Sequence, residues 1–164
     1  MDLSAIRPCQ GLPLVLDALL CLIVGISDGD TLTARCPTDD PEHPYQQVKV
    51  RIAAIDAPEK AQPFGQRSRQ NLAELCFQQQ ATITTKTKDR YGRSVADVEC
   101  RGQDAGHAQV QAGMAWYYVR YGKGYETLAS LEGAARNARR GLWSMDAVPP
   151  WEWRRKPRES PTGY

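Results

Sequence analysis

Leu20-Cys21-Leu22-Ile23-Val24-Gly25-Ile26-Ser27-Asp28-Gly29-Asp30-Thr31-Leu32-Thr33-Ala34-Arg35-Cys36 decides the fold class. Leu20 to Ser27 is a short, apolar, β-like run. Asp28-Gly29 is a hairpin turn signal, because both residues tolerate positive φ. Thr31 to Cys36 is the returning strand. If Asp28-Gly29 is the two-residue loop, Ser27 faces Asp30 and Cys21 faces Cys36. Opposed β-residues lie within disulfide range, so a Cys21–Cys36 bond is expected, with a bulge or strain at that position.

Outward from the hairpin, Pro37 to Pro44 is a loop. Val48, Val50, Ile52 and Ala54 alternate with Lys49, Arg51 and Ala53, the pattern of a half-buried strand, which ends at Ala57-Pro58. Gly65 to Gln80 is predicted as a helix with Leu72, Leu75 and Cys76 on its apolar face. Ala81–Thr87 and Ser94–Cys100 are predicted strands around an Asp89-Arg90-Tyr91-Gly92 turn. Asp104 caps a short helix to about Ala112, closed by Gly113. Tyr125 to Arg140 is a third helix, with Gly141 as its C-cap and Arg139 and Arg140 at the negative end of its dipole. This order predicts an α+β, mainly β fold: a five-stranded OB-fold-type antiparallel barrel with three helices. Residues 1–19 read as a leader or arm, 20–145 as the domain and 146–164 as a Pro-rich, basic tail.

The 164-residue length suits one core. A net charge of +2 excludes a strongly basic nucleic-acid binder but permits a local basic site. The two histidines, His43 and His107, are far apart in sequence, which argues against a His-rich zinc site or a Ser/His/Asp triad. The five cysteines form no CxxC. They are either buried thiols of a cytoplasmic protein or staples of an exported one. Cys76–Cys100 is the less secure second pair, and Cys9 is left over. Leu12 to Val24 is apolar except for Asp17 and follows Arg7, like a degenerate signal sequence. Export to the periplasm or beyond is the expectation, without stable membrane association.

Three segments combine acids, arginines and tight turns: Asp28-Gly29-Asp30-Thr31, Arg51-Ile52-Ala53-Ala54-Ile55-Asp56-Ala57-Pro58-Glu59, and Asp89-Arg90-Tyr91-Gly92-Arg93. Singly, each reads equally as an ordinary turn or strand end. Together, in this order and spacing, they resemble the staphylococcal nuclease family. The resemblance runs from about Leu20 to Trp143 and extends to Gly113-Met114-Ala115-Trp116, Gly141-Leu142-Trp143 and the Pro149-Pro150-Trp151-Glu152-Trp153-Arg154-Arg155 tail.

The resemblance implies a calcium-dependent nuclease that hydrolyses phosphodiester bonds of DNA and/or RNA and leaves 3′-phosphates. Asp30 and Asp56 would be carboxylate ligands of Ca²⁺. The backbone carbonyl of Ala57 would be a third ligand, at a position where the family commonly has Thr. Glu59 would be the general base, presented by Pro58. Arg51 and Arg93 would clamp the phosphate, since a guanidinium fork grips two oxygens at once. Tyr91 would lie near the terminal phosphate. Tyr121 would stack beside the base, while the family's other base-side tyrosine aligns with Val119. Asp28 is expected to be turn-forming or to stand behind the ligands, and Trp116 to pack in the core. A monomer is expected. The alternatives are a noncatalytic nucleic-acid-binding module on the same barrel, or a disulfide-stapled exported scaffold.

Overall fold

The computed structural model describes residues 18–155. Cys9, most of the 1–19 leader and the end of the tail lie outside the described residues. Eight strands and four α-helices occur among them: β1 Ala18–Asp28, β2 Thr31–Pro37, β3 Tyr45–Ile52, β4 Ile55–Asp56, α1 Gly65–Cys76, β5 Gln80–Lys88, β6 Ser94–Cys100, β7 Gln103–Asp104, α2 Ala105–Gln111, β8 Trp116–Tyr117, α3 Thr127–Asn137 and α4 Pro150–Trp153. No helix among them is long and apolar enough to cross a membrane.

Five long strands close a barrel in the order β3-β2-β1-β5-β6, and β3 pairs back onto β6. Four of the five seams are antiparallel, but β3–β6 is parallel, through Val50↔Ser94, Arg51↔Val95 and Ile52↔Ala96. An all-antiparallel five-stranded barrel is geometrically impossible. Direction alternates around the ring, and an odd number of strands leaves one pair running the same way. The expected mainly β barrel is therefore present, with a mixed rather than antiparallel sheet. The long strands alternate across the wall, so Ile23, Leu32, Ala34, Val50, Ile52, Ile83, Ala96 and Val98 are buried. Leu72 of α1 and Val110 of α2 join the same cluster.

The β1–β2 turn sits one residue later than the sequence suggests. Asp28 pairs with Thr31, so the loop is Gly29-Asp30. The Asp28 carboxylate fixes it by accepting from the Asp30 backbone N–H at 3.1 Å. Gly29 is needed for close approach rather than positive φ. A Cβ there would lie 1.8 Å from Ser68 Oγ on α1 and 2.9 Å from the Ala57 methyl. Two register shifts along β1 then bring the pairing to Leu22↔Arg35, which sets Cys21 beside Cys36. The two are disulfide-bonded across a Cα separation of 4.5 Å. A second disulfide joins Cys76, at the end of α1, to Cys100, at the end of β6.

Helix α1 stops at Cys76, four residues before the predicted Gln80. Phe77 is extended, Gln78 takes φ 60°, and β5 starts at Gln80. Pairing with β1 has taken Gln78, Gln79 and Gln80, residues that local propensity gave to the helix. Helix α3 likewise ends at Asn137, and the left-handed position after it falls on Arg139 at φ 50°. Part of the predicted tail is built into the domain. Pro150 opens α4, as its fixed φ favours. Trp151 stacks on Tyr118 at 5.5 Å and meets the edge of Trp116 at 6.2 Å. That fourth helix was not predicted, because four residues are too few for a periodic signal.

Candidate active site

One end of the β3–β6 seam collects the acids. After Ile52 the chain turns through Ala53-Ala54, with Ala54 in the left-handed region at φ 63°. Such a conformation is costly for a non-glycine residue and persists where surroundings enforce it. Here the Ala54 carbonyl accepts from the Tyr118 N–H at 2.8 Å. The following β4 pairs with β8 through Asp56↔Trp116. This short ribbon leaves the Asp56 side chain 1 % exposed. The hairpin delivers Asp30 to the same place, its carbonyl accepting from the Ile52 N–H at 2.8 Å.

Each oxygen of Asp30 accepts a hydrogen bond. Its Oδ2 accepts from the Ala57 N–H at 2.7 Å and its Oδ1 from the Thr31 hydroxyl at 2.9 Å. Arg51 lies between the two buried acids, with Nη2 3.4 Å from Asp30 Oδ2 and 3.5 Å from Asp56 Oδ1. Its Nη1 donates to the Ile52 carbonyl at 2.9 Å. Burial pushes the Asp30 carboxyl up, but Arg51 and the hydrogen bonds outweigh it and hold the group below the usual carboxylate range. Asp56 goes the other way. Burial raises it, and the hydrogen bonds from Arg154 offset this only in part. Asp28, standing behind Asp30, is pushed up to about 7, first by burial and then by the Asp30 charge.

Glu59 follows on a loop fixed to the start of α1. Its backbone N–H donates to Gln62 Oε1 at 3.0 Å, and its carbonyl accepts from the Gln62 N–H at 2.9 Å. Gly65 packs so closely over that carbonyl that a Cβ would come within 2.1 Å of it. Gln62 also donates to the Val148 carbonyl, tying this loop to the segment before α4. From the end of α4 comes Arg154, which no sequence pattern had singled out. Its Nη2 lies 2.9 Å from Asp56 Oδ2, and its Nη1 lies 2.7 Å from Glu59 Oε1. The only sign of it in the sequence was the Trp/Arg-rich stretch ahead of it.

Asp30, Arg51, Asp56, Ala57 and Glu59 are thus brought together. Arg93 lies one residue before the Ser94↔Val50 rung, at the other end of the three-rung seam from the turn after Ile52. Its recorded partner is Asp89, at 2.7 Å, rather than the acid cluster. Tyr91 and Tyr121 are both exposed. Tyr91 lies under Arg90 and Arg93, and Tyr121 rests edge-on against Tyr118 at 5.2 Å. Trp116 is buried, while Val119 is exposed.

Among the described residues no three His, Cys, Asp or Glu side chains converge as a complete metal cage. The donor set is instead two buried carboxylates, Asp30 and Asp56, both in contact with one guanidinium group, beside the Ala57 main chain. Its side-chain donor atoms are all oxygen, and Arg154 shares Asp56 with Arg51. That fits a hard cation whose coordination water completes.

The sequence profile described as "Staphylococcal nuclease homologue" matches residues 49–145. The chain belongs to the staphylococcal nuclease family. It is 42 % identical to "Micrococcal nuclease" of Shigella flexneri over 144 residues, covering 81 % of this chain and 79 % of that one. It is 41 % identical over 137 residues to an "Uncharacterized endonuclease" of Haemophilus influenzae, covering 83 % of this chain and 73 % of that one. With "Staphylococcal-like nuclease CAN1" of Arabidopsis thaliana it shares 37 % identity over 114 residues, or 69 % of this chain and 35 % of the plant protein. Arg154 lies outside the span the family profile matches.

Proposed function

We propose that this chain is a calcium-dependent nuclease that hydrolyses the phosphodiester bonds of DNA and/or RNA and leaves 3′-phosphate ends. The observation that carries the proposal is the convergence of buried Asp30 and Asp56 on Arg51, with Glu59 at the edge of the same cluster. The nuclease and endonuclease names of its relatives agree with it. Asp30, Asp56 and the Ala57 carbonyl would hold the cation, which when bound supplies positive charge to the phosphate oxygens. Glu59 is the more accessible carboxylate and lies where water reaches it. Its task is to take the proton of the attacking water. Arg51 is fixed by the Ile52 carbonyl, so its guanidinium group can meet the charge that develops on the phosphoryl oxygens without reorganising. Arg93 and Tyr91 sit on the exposed β5–β6 turn and would grip the phosphate from the solvent side, while Tyr121 offers a ring to a base. The two disulfides support an exported location.

Purified chain incubated with plasmid DNA and with RNA, in calcium or in EGTA, tests this proposal. Cleavage in calcium, loss in EGTA, recovery on adding calcium back and 3′-phosphate ends are expected. Full cleavage by metal-free protein, or 5′-phosphate ends, would overturn the corresponding element. Retained binding without cleavage would identify the noncatalytic module instead.

A further inference from the structure

Asp56 has two guanidinium partners of different kinds. Arg51 is held by the end of β3, by the Ile52 carbonyl and by two carboxylates, and its side chain is only 17 % exposed. Arg154 comes from the end of a four-residue helix, and its side chain is 45 % exposed. Both of its terminal nitrogens reach Asp56, at 2.9 Å to Oδ2 and 3.4 Å to Oδ1. One of them also reaches Glu59 Oε1 at 2.7 Å. A single half-exposed cation therefore spans the carboxylate read above as a metal ligand and the carboxylate read as a base.

Electrostatics explains why it is there. A carboxylate as buried as Asp56 stays ionised only when matched by positive charge, and Arg51 is already shared with Asp30. The same Asp56 lone pairs cannot serve a guanidinium fork and a directly bound divalent ion at once. We infer that Arg154 is a displaceable counter-cation of the metal site, occupying Asp56 and Glu59 when no divalent ion is bound and yielding Asp56 to the ion that replaces it. The inference rests on the proposed role of Asp56 as a ligand. Displacement is cheap for Arg154 because nearly half of its side chain already faces water. Its helix keeps its own attachment through the stack of Trp151 on Tyr118. Arg51 has no comparable exit.

Competition of this kind lowers apparent affinity in proportion to the fraction of molecules in which the site is free. If Arg154 occupies Asp56 in about 90–99 % of molecules, removing it tightens cation binding about 10–100-fold. The test is calorimetric titration of Ca²⁺ into the full chain without nucleic acid. Wild type is compared with Arg154→Ala, with Arg154→Gln, which keeps the stem, and with Arg155→Ala, which removes the same charge from the adjacent exposed position. Both Arg154 variants should bind about 10–100-fold more tightly, while Arg155→Ala should stay within about twofold of wild type, because an exposed charge that does not touch the ligands is screened. Equal or weaker binding by both Arg154 variants would overturn the inference and leave the metal-site assignment standing. Equal tightening by Arg155→Ala would reduce Arg154 to a general charge effect and overturn it as well. If neither wild type nor the variants bind Ca²⁺, the assignment of Asp56 as a ligand fails and takes the inference with it.

Discussion

Arg51 and Arg93 were paired by sequence as two clamps with one task, and both are found in ion pairs with aspartate. Their settings differ. Arg51 lies on the barrel seam against Asp30 and Asp56, whose side chains are 8 % and 1 % exposed. Arg93 lies on a hairpin turn and pairs with Asp89 four residues earlier, under the ring of exposed Tyr91. The first is held by longer-range architecture, with Asp30 from the hairpin and Asp56 from beyond the turn that ends β3. The second is local and could form in an isolated hairpin. A buried charge is an element of the fold as well as of the site, whereas an exposed one is free to serve the substrate alone. Loss of Arg51 should therefore damage stability and chemistry together, and loss of Arg93 should damage chemistry only.

Glu59→Gln sets the scale. It removes the proposed base while leaving both arginines, so single-turnover cleavage at saturating DNA should fall about 10²–10⁴-fold, or about 3–5.5 kcal/mol of barrier. A binding titration of the same variant should match wild type, and an unchanged cleavage rate would remove Glu59 from the mechanism. Arg51→Ala strains the contrast most directly. Leaving buried carboxylates without their shared cation should cost about 3–5 kcal/mol of stability, read by urea denaturation in chelator; a loss below about 1 kcal/mol would show that Arg154 alone balances the site. For Arg93→Ala the expected result is reversed: cleavage slowed about 10²–10³-fold and DNA binding weakened, with stability within about 1 kcal/mol of wild type. Should its denaturation midpoint fall as far as that of Arg51→Ala, the two arginines are not different in kind. The smallest effect belongs to Tyr121→Ala. Loss of one stacking ring should weaken single-stranded DNA binding by about 1–3 kcal/mol without altering the rate at saturation. A slowed saturated rate would move Tyr121 from holding the base to positioning the bond.

Most of this site was legible because its residues occur in short, ordered segments whose chemistry is redundant: acid and turn recur three times, and arginine in two of the three. Strand alternation gave the barrel wall, since period-two patterning is local. What escaped were features set by distant partners. The helix read to Gln80 yields at Cys76 because Gln78, Gln79 and Gln80 bond to β1 instead. The hairpin loop moved by one residue because Gly29 has to fit against Ser68, and nothing near Gly29 in sequence announces that contact. Arg154 reaches Asp56 across 98 positions, beyond any periodic or turn signal. Its stretch resembled the family's tail, but resemblance carries no coordinates.

Five antiparallel preferences on a ring are frustrated, as alternating spins are on a pentagon: one link has to be wrong. In this molecule the wrong link is the three-rung β3–β6 seam, and it matches the last residues of one strand with the first residues of the other. That stagger brings Arg51, on the middle rung, and Arg93, just before the first, to one seam although they are forty-two positions apart in the chain. Beyond the last rung β3 gives way to the turn that carries Asp56, while β6 runs on to Cys100. The acids gather at this defect. A sixth strand would relieve the mismatch and, by closing the rim evenly, would take away the place where the chemistry is assembled.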